Sequence, residues 1–185
     1  MKWHLEGLTH WPAGSILTCW HSEILLAAAL VRYVERAQEV VAPMVREYGT
    51  PRLMAQFIQW VGLDLVYIPP YEAGEARRAA MAERLIPLLH AGKSLFLAAD
   101  GHRAPAHHPQ EDPLWLARVA NAPLIPFACT ATPALTLPTW DRKQVPLPTS
   151  QVCVMLSPPL PLESTPTQLA TRLQHLHTTI TKHQT

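Results

Sequence analysis

Charge is scarce in this sequence. Asp, Glu, Lys and Arg make up 16% of its 185 residues, the formal net charge is +1, and the eleven Arg and four Lys are scattered. No basic face of the kind nucleic acid requires is present, so a nucleic-acid role finds little support. Cysteine is scarce too. Cys19, Cys129 and Cys153 are odd in number, far apart and without the paired spacing of a zinc site or redox couple, which argues for a reducing compartment, the cytoplasm. Long apolar runs are missing. The longest, Ile24 to Val31, is far below the ~20 residues that a membrane-spanning helix needs, and the lead-in 1–14 (MKWHLEGLTHWPAG) is broken by Glu6, Gly7 and Pro12, leaving no signal-peptide core. No internal repeat is found.

What is present is a 48% hydrophobic chain with 19 Pro spread through loops and helix starts, enough for one domain with a single core. The apolar run from Ser15 reads as a strand that delivers His21 to the start of a helix over Glu23 to Tyr33. Glu39 to Ala42 is a short candidate strand. Thr50 and Pro51 supply a cap and first turn for a helix that Gly62 closes. Leu63 to Ile68 reads as a strand. Glu75 to His90 repeats apolar residues at Met81, Leu85, Leu88 and Leu89, a helical spacing, with Pro87 predicting a kink or an early end.

Lys93 to Ala99 is an apolar run of strand length, as a parallel strand buried on both faces requires. Asp112 and Pro113 repeat the cap-plus-proline signature ahead of Leu114 to Ala120. Pro123 to Ala128 reads as a strand whose Pro126 places it at an edge or a bulge. Residues 130–150, rich in Pro and Thr, read as a long loop or irregular excursion, and Gln151 to Leu156 as the last strand. Thr165, Pro166 and Gln168 make a capping box for a closing amphipathic helix over 165–182, striped by Leu169, Leu173, Leu176 and Ile180. Strands alternating with helices predict a single α/β domain with a mostly parallel central sheet flanked by helices.

Two strand-to-loop junctions carry the chemistry. The first presents His21, the second (SLFLAADGHRAP, Ser94 to Pro105) presents Asp100, Gly101 and Arg103, and the two loops are expected to meet. His21 would then be a base, or on position alone a core histidine bonded to backbone; Asp100 would be the carboxylate on its other ring nitrogen, and Arg103 an anion clamp or a solvated loop residue. Glu23, two residues from His21, falls on the opposite side of a helix and is the poorer partner. Asp100 has a plainer reading as the cap of its Asp-Gly turn. His102, His107 and His108 lack the spacing of a metal site, so no metal or cofactor is expected. Gly92 to Ser94 is not a phosphate loop, because Pro87 stands where the leading Gly belongs and a strand follows. Cys19 and His21 would share a strand face, which leaves a thiol nucleophile with its base as a further arrangement.

The order of motifs resembles the bacterial lysophospholipid acyltransferase superfamily, specifically its domain-of-unknown-function branch related to glycerophosphate acyltransferases. The resemblance runs from about Leu5 to Leu162. It rests on Trp20 and His21 ending a strand, on Gly62 and Leu63, and on AGKSLFLAADG leading into Arg103 and Pro105. It rests also on NAPLIPFA (Asn121 to Ala128) and on Trp140, Asp141 and Arg142 followed by Pro146 and Pro148. The acidic residue that the wider superfamily carries five positions after its His is Leu26 here. The Arg- and Ser-rich turn of relatives is Tyr67 to Glu72, and their Asp-Gly-Glu is Thr50, Pro51 and Arg52.

The resemblance implies an acyltransferase-like fold and an O-acyltransferase activity. A fatty acyl chain would move from an acyl-CoA or acyl-carrier-protein thioester, as co-substrate, to a hydroxyl of a lysophospholipid or related lipid. His21 and Asp100 would be catalytic, and Trp20, Gly101 and Arg103 would bind substrate. The expected partners are the lipid acceptor, the thioester donor with its carrier protein, and the inner face of the cytoplasmic membrane, reached through a surface patch. The alternatives are an inactive acyltransferase-like protein that binds a lipid or a partner, and a Cys19 and His21 hydrolase.

Overall fold

The computed structural model describes residues 2–7, 10–33, 40–44, 56, 63–67, 75–101 and 105–182. Among these, seven strands form one sheet: β1 (Lys2–Gly7), β2 (Ile16–Cys19), β3 (Val40–Met44), β4 (Asp64–Tyr67), β5 (Ser94–Ala98), β6 (Leu124–Thr136) and β7 (Gln144–Leu156). Their spatial order is β1-β7-β6-β2-β5-β3-β4. The five from β6 to β4 run parallel, β7 is antiparallel to β6, and β1 lies parallel to β7. The fold is the expected α/β layer structure with a mostly parallel sheet.

Four helices flank the sheet among the described residues: α1 (Ile24–Tyr33), α2 (Glu75–His90), α3 (Asp112–Ala120) and α4 (Pro166–Lys182). Alternation along β2 explains why its sequence is apolar but for Thr18, which is itself buried. Leu17 and Cys19 join the cluster under α1 with Leu26, Phe96, Ile125 and Val154, while Ile16 and Trp20 join the opposite cluster with Leu85, Leu95, Leu114 and Leu173. A strand covered on both faces has no polar side to show. The stripe Leu169, Leu173, Leu176 and Ile180 is buried as its spacing requires. The capping box is reciprocal: Thr165 N donates to Gln168 Oε1 at 2.8 Å, and Gln168 N donates to Thr165 Oγ1 at 3.3 Å.

Three expectations change. Helix α2 does not end early at Pro87 but runs on to His90. Pro87 and Glu83 are both exposed, so the carbonyl deprived of a donor faces water. Second, Pro126 does not mark an edge, because β6 lies between β7 and β2. Pro126 O accepts from Ser157 N at 2.9 Å, so its absent N–H falls on that same side, beyond the last ladder pair, Phe127 and Leu156. Third, 130–150 is not a loop. It forms the distal halves of β6 and β7, joined only through 137–143. β1 covers β7 only over Gln151–Leu156, so Pro146 and Pro148 lie where β7 is an edge and tolerates proline.

Asp112 is the first helical residue of α3 rather than its cap, which is Glu111 and makes no side-chain capping hydrogen bond. The helix expected from Thr50 and Pro51 to Gly62 lies outside the described residues, as does the turn after Tyr67.

Gly14 controls entry into β2. Its φ is +72°, and a Cβ there would stand 2.6 Å from the Leu89 carbonyl oxygen at the end of α2. Gly14→Ala is therefore expected to destabilise the fold by about 2 kcal/mol, read as a lower urea midpoint with an unchanged slope.

Candidate active site

The site is assembled at the carboxyl ends of β2, β5 and β6, where open α/β sheets place their clefts. β2 ends at Cys19, and His21 opens a single 3₁₀ turn, His21–Glu23, that leads into α1. Ala99 N donates to Cys19 O at 2.8 Å, which aligns the loop after β5 with the one after β2. The two loops meet. The contact differs from the expected one, however: Asp100 Oδ1 accepts from the backbone N–H of His21 at 2.8 Å, and Oδ2 from the backbone N–H of His107 at 2.9 Å. Asp100 is buried and braces two loops, and it is not the carboxylate on the imidazole.

That carboxylate is Asp141, 120 residues away in sequence. His21 Nδ1 lies 2.5 Å from Asp141 Oδ2. The hairpin that joins β6 to β7 makes this possible, because both strands extend past the end of β2 before the chain turns back. Leu137 N donates to Lys143 O at 2.9 Å, and Arg142 N to Thr139 O at 3.0 Å. Arg142 takes a left-handed φ of +53°, an uncommon state for a non-glycine residue that tightens the turn. Thr139 Oγ1 donates to Asp141 Oδ1 at 2.6 Å. The turn thus points one carboxylate inward with both oxygens occupied.

Lys143 completes the cluster. Its Nζ contacts Asp141 Oδ2 and lies 2.9 Å from His21 Nδ1. One ring nitrogen cannot both donate to a carboxylate and accept from an ammonium, so Lys143 donates to Asp141 and the Nδ1 proton belongs to Asp141. Burial opposes ionisation of Asp141, yet hydrogen bonds from His21, Lys143 and Thr139 outweigh it and hold the carboxyl well below the usual carboxylate range. The tautomer this selects leaves the Nε2 lone pair free for a proton. Trp140 stacks on the imidazole, ring centroids 5.2 Å apart and planes 26° from parallel, and the His21 side chain stays 17% exposed.

The remaining candidates fall as follows. Gly101, at φ +67°, forms the turn after β5. Trp20 is buried in the core, its ring 5.0 Å from that of His107, so the aromatic against the imidazole is Trp140 instead. His102, Arg103 and Ala104 lie outside the described residues. Leu26 is fully buried in the core under α1. Cys19 is also fully buried, its Sγ donating to Trp20 O at 3.3 Å, and burial pushes its thiol well above the usual value. A thiol so held behaves as packing, which argues against the hydrolase alternative. Among the described residues no group of three or more His, Cys, Asp or Glu is arranged to hold a metal ion.

Glu23 points away from the imidazole into the core. Its Oε2 accepts from Cys129 N at 2.9 Å, and its Oε1 lies 3.2 Å from His177 Nδ1 on α4, within ion-pair range but without hydrogen-bond alignment. The residue that sequence reasoning left without a role is Asp141. Its signal was the Trp140-Asp141-Arg142 match, which carried no indication of the partner.

No family model matches the sequence, and no curated protein does. Among solved structures, the chain is similar to the crystal structure of the 1-acyl-sn-glycerophosphate (LPA) acyltransferase, PlsC, from Thermotoga maritima. The TM-score is 0.54 at 16% identity, over 95% of this chain and 68% of that one. At that identity the likeness is one of architecture, and the chain has an acyltransferase-like fold.

Proposed function

We propose that this protein is an O-acyltransferase that moves a fatty acyl chain from an acyl-CoA or acyl-carrier-protein thioester to a hydroxyl of a lysophospholipid or related lipid. The observation that carries the reading is the Asp141–His21 pair under Trp140, at the carboxyl ends of parallel strands. Asp141 holds the proton on Nδ1, and Nε2 takes the proton of the acceptor hydroxyl as its oxygen attacks the thioester carbonyl. The tetrahedral intermediate then expels the thiolate, which recovers that proton from the imidazolium. No covalent enzyme intermediate forms.

In this reading Asp100 is a positioning residue, since it touches backbone only, and Gly101 shapes its turn. Arg103, which the sequence match puts on the family's Asp-Gly-x-Arg pattern, takes the substrate phosphate as a planar fork. Trp20 backs the loop from within the core, while Trp140 forms the aromatic wall next to the acceptor.

The test is lipid mass spectrometry after incubating the protein with an acyl-CoA or an acyl carrier protein and a panel of lysolipids. The expected result is a product heavier by one acyl chain, with one free thiol released per product. Lipid binding without turnover for every donor and acceptor pair would replace this proposal with an inactive lipid-binding protein.

A further inference from the structure

We propose that the outer face of the distal β6–β7 hairpin is a docking surface for a lipid bilayer bearing anionic headgroups. The inference goes beyond acyl transfer and does not depend on it. Among the described residues four large apolar side chains are exposed, and three of them stand on this hairpin: Leu135 at 56%, Trp140 at 39% and Leu147 at 40%. They are not scattered. Leu135 pairs directly with Val145 in the antiparallel register, and Leu147 lies two residues beyond Val145, so Leu135, Val145 and Leu147 share one face of the ribbon. Ala134, on the other face, packs against the core under α1.

The register shift between Thr132 and Ala134 produces this arrangement. It moves the inward position from Ala131 to Ala134 and leaves Leu135 outward.

Charge identifies the partner. Within 130–150 the charged residues are Asp141, Arg142 and Lys143. The Asp141 carboxylate is buried, whereas Arg142 is exposed, so the charge that this segment shows to solvent is cationic. A cation beside an apolar stripe, with a tryptophan at the tip, is the composition that settles at a headgroup boundary. A second copy of the chain fits less well. Three side chains on a two-stranded ribbon supply far less than the roughly 800 Å² per partner of a stable protein interface. Trp140 at the hairpin tip also stacks on His21, so the ribbon that carries this face adjoins the imidazole.

The experiment is vesicle flotation of the whole protein without an acyl donor, comparing phosphatidylcholine vesicles with vesicles containing phosphatidylglycerol. Wild-type protein is expected to favour the anionic vesicles about tenfold, and Leu135→Gln with Leu147→Gln to reduce that binding about tenfold. Arg142→Glu should reduce it roughly fivefold or more, at about 1 kcal/mol per basic residue near the surface. Val119→Gln, which alters the remaining exposed apolar residue, on α3, should leave binding unchanged. Circular dichroism and unfolding midpoints confirm that each variant is folded, and Arg142→Glu keeps the test decisive should the double variant not fold. Equal binding to both vesicle types, wild-type binding by the folded Leu135 and Leu147 variant, or a dimer that this variant dissociates would each overturn the proposal. None of these results depends on turnover.

Discussion

Asp141→Asn is expected to lower acyl transfer by roughly 10³- to 10⁴-fold while leaving the fold and the apparent affinity for lipid nearly intact. The amide occupies the same volume but carries no charge to stabilise the imidazolium, and its NH₂ group can donate to Nδ1. Lys143 makes the loss worse. With the carboxylate gone, its ammonium, 2.9 Å from Nδ1, becomes a donor to that nitrogen and selects the tautomer protonated at Nε2, which cannot act as a base. The double variant Asp141→Asn with Lys143→Met should therefore recover part of the lost rate. Replacing His21 by Ala should abolish turnover. Asp100→Asn is expected to cost only about tenfold, because it removes one of two bonds from backbone amides, the new NH₂ being unable to accept, and does not touch the ring. If single-turnover measurements on Asp141→Asn stay within a few-fold of wild type, the assignment of the base is wrong.

Glu23→Ala should destabilise the protein by about 3 kcal/mol, and Glu23→Gln by much less. The alanine leaves the Cys129 N–H, in the middle of β6, without its acceptor and opens a cavity where a fully buried side chain had been. Glutamine retains an acceptor oxygen in the same volume.

The same site gives stability a pH dependence whose sign follows from two upward shifts. Burial raises the Glu23 carboxyl, and contact with Glu23 raises the His177 imidazole against partial desolvation. A group whose folded value is raised binds more protons in the native state. Its contribution is fully present below the unfolded value, about 4.3 for Glu and 6.5 for His, and is lost as pH rises through the raised one. Asp141 acts in the opposite sense: its lowered value contributes above the ordinary carboxylate range and is lost as pH falls through the lowered one. Urea midpoints are expected to peak in mildly acidic buffer and to fall as pH rises past about 6.5 and through the raised His177 value. His177→Gln should flatten that alkaline decline, and a decline unchanged in this variant would assign it to another group.

Local signals in the chain identify most of the elements. The apolar runs at β2 and β5, the Leu stripe of α4 and its capping box depend on neighbours within a turn or a pleat, and each element forms where its residues place it, within a residue or two. Proline misled where its effect depends on strands distant in sequence. Pro126 is compatible with an interior strand because the β6–β7 ladder ends at Phe127, and Pro146 and Pro148 are compatible with β7 because β1 stops at Gln151. Neither condition is visible in the residues around those prolines.

The position of His21 at a strand-to-helix junction, the alternation of strands and helices, and the burial of Cys19 follow from short-range pattern, since they need only one apolar run and one change of period. Which carboxylate reaches the imidazole does not. Asp100 and Asp141 are both acidic residues in polar turns, and the choice between them was made by strand length and register. β6 and β7 overrun β2, their turn folds back over its end, and the turn's backbone geometry aims Asp141 at Nδ1. Asp100 has both oxygens committed to backbone amides before the ring can compete. Contacts 79 and 120 residues apart are set by the closure of the whole sheet, and no local propensity encodes them.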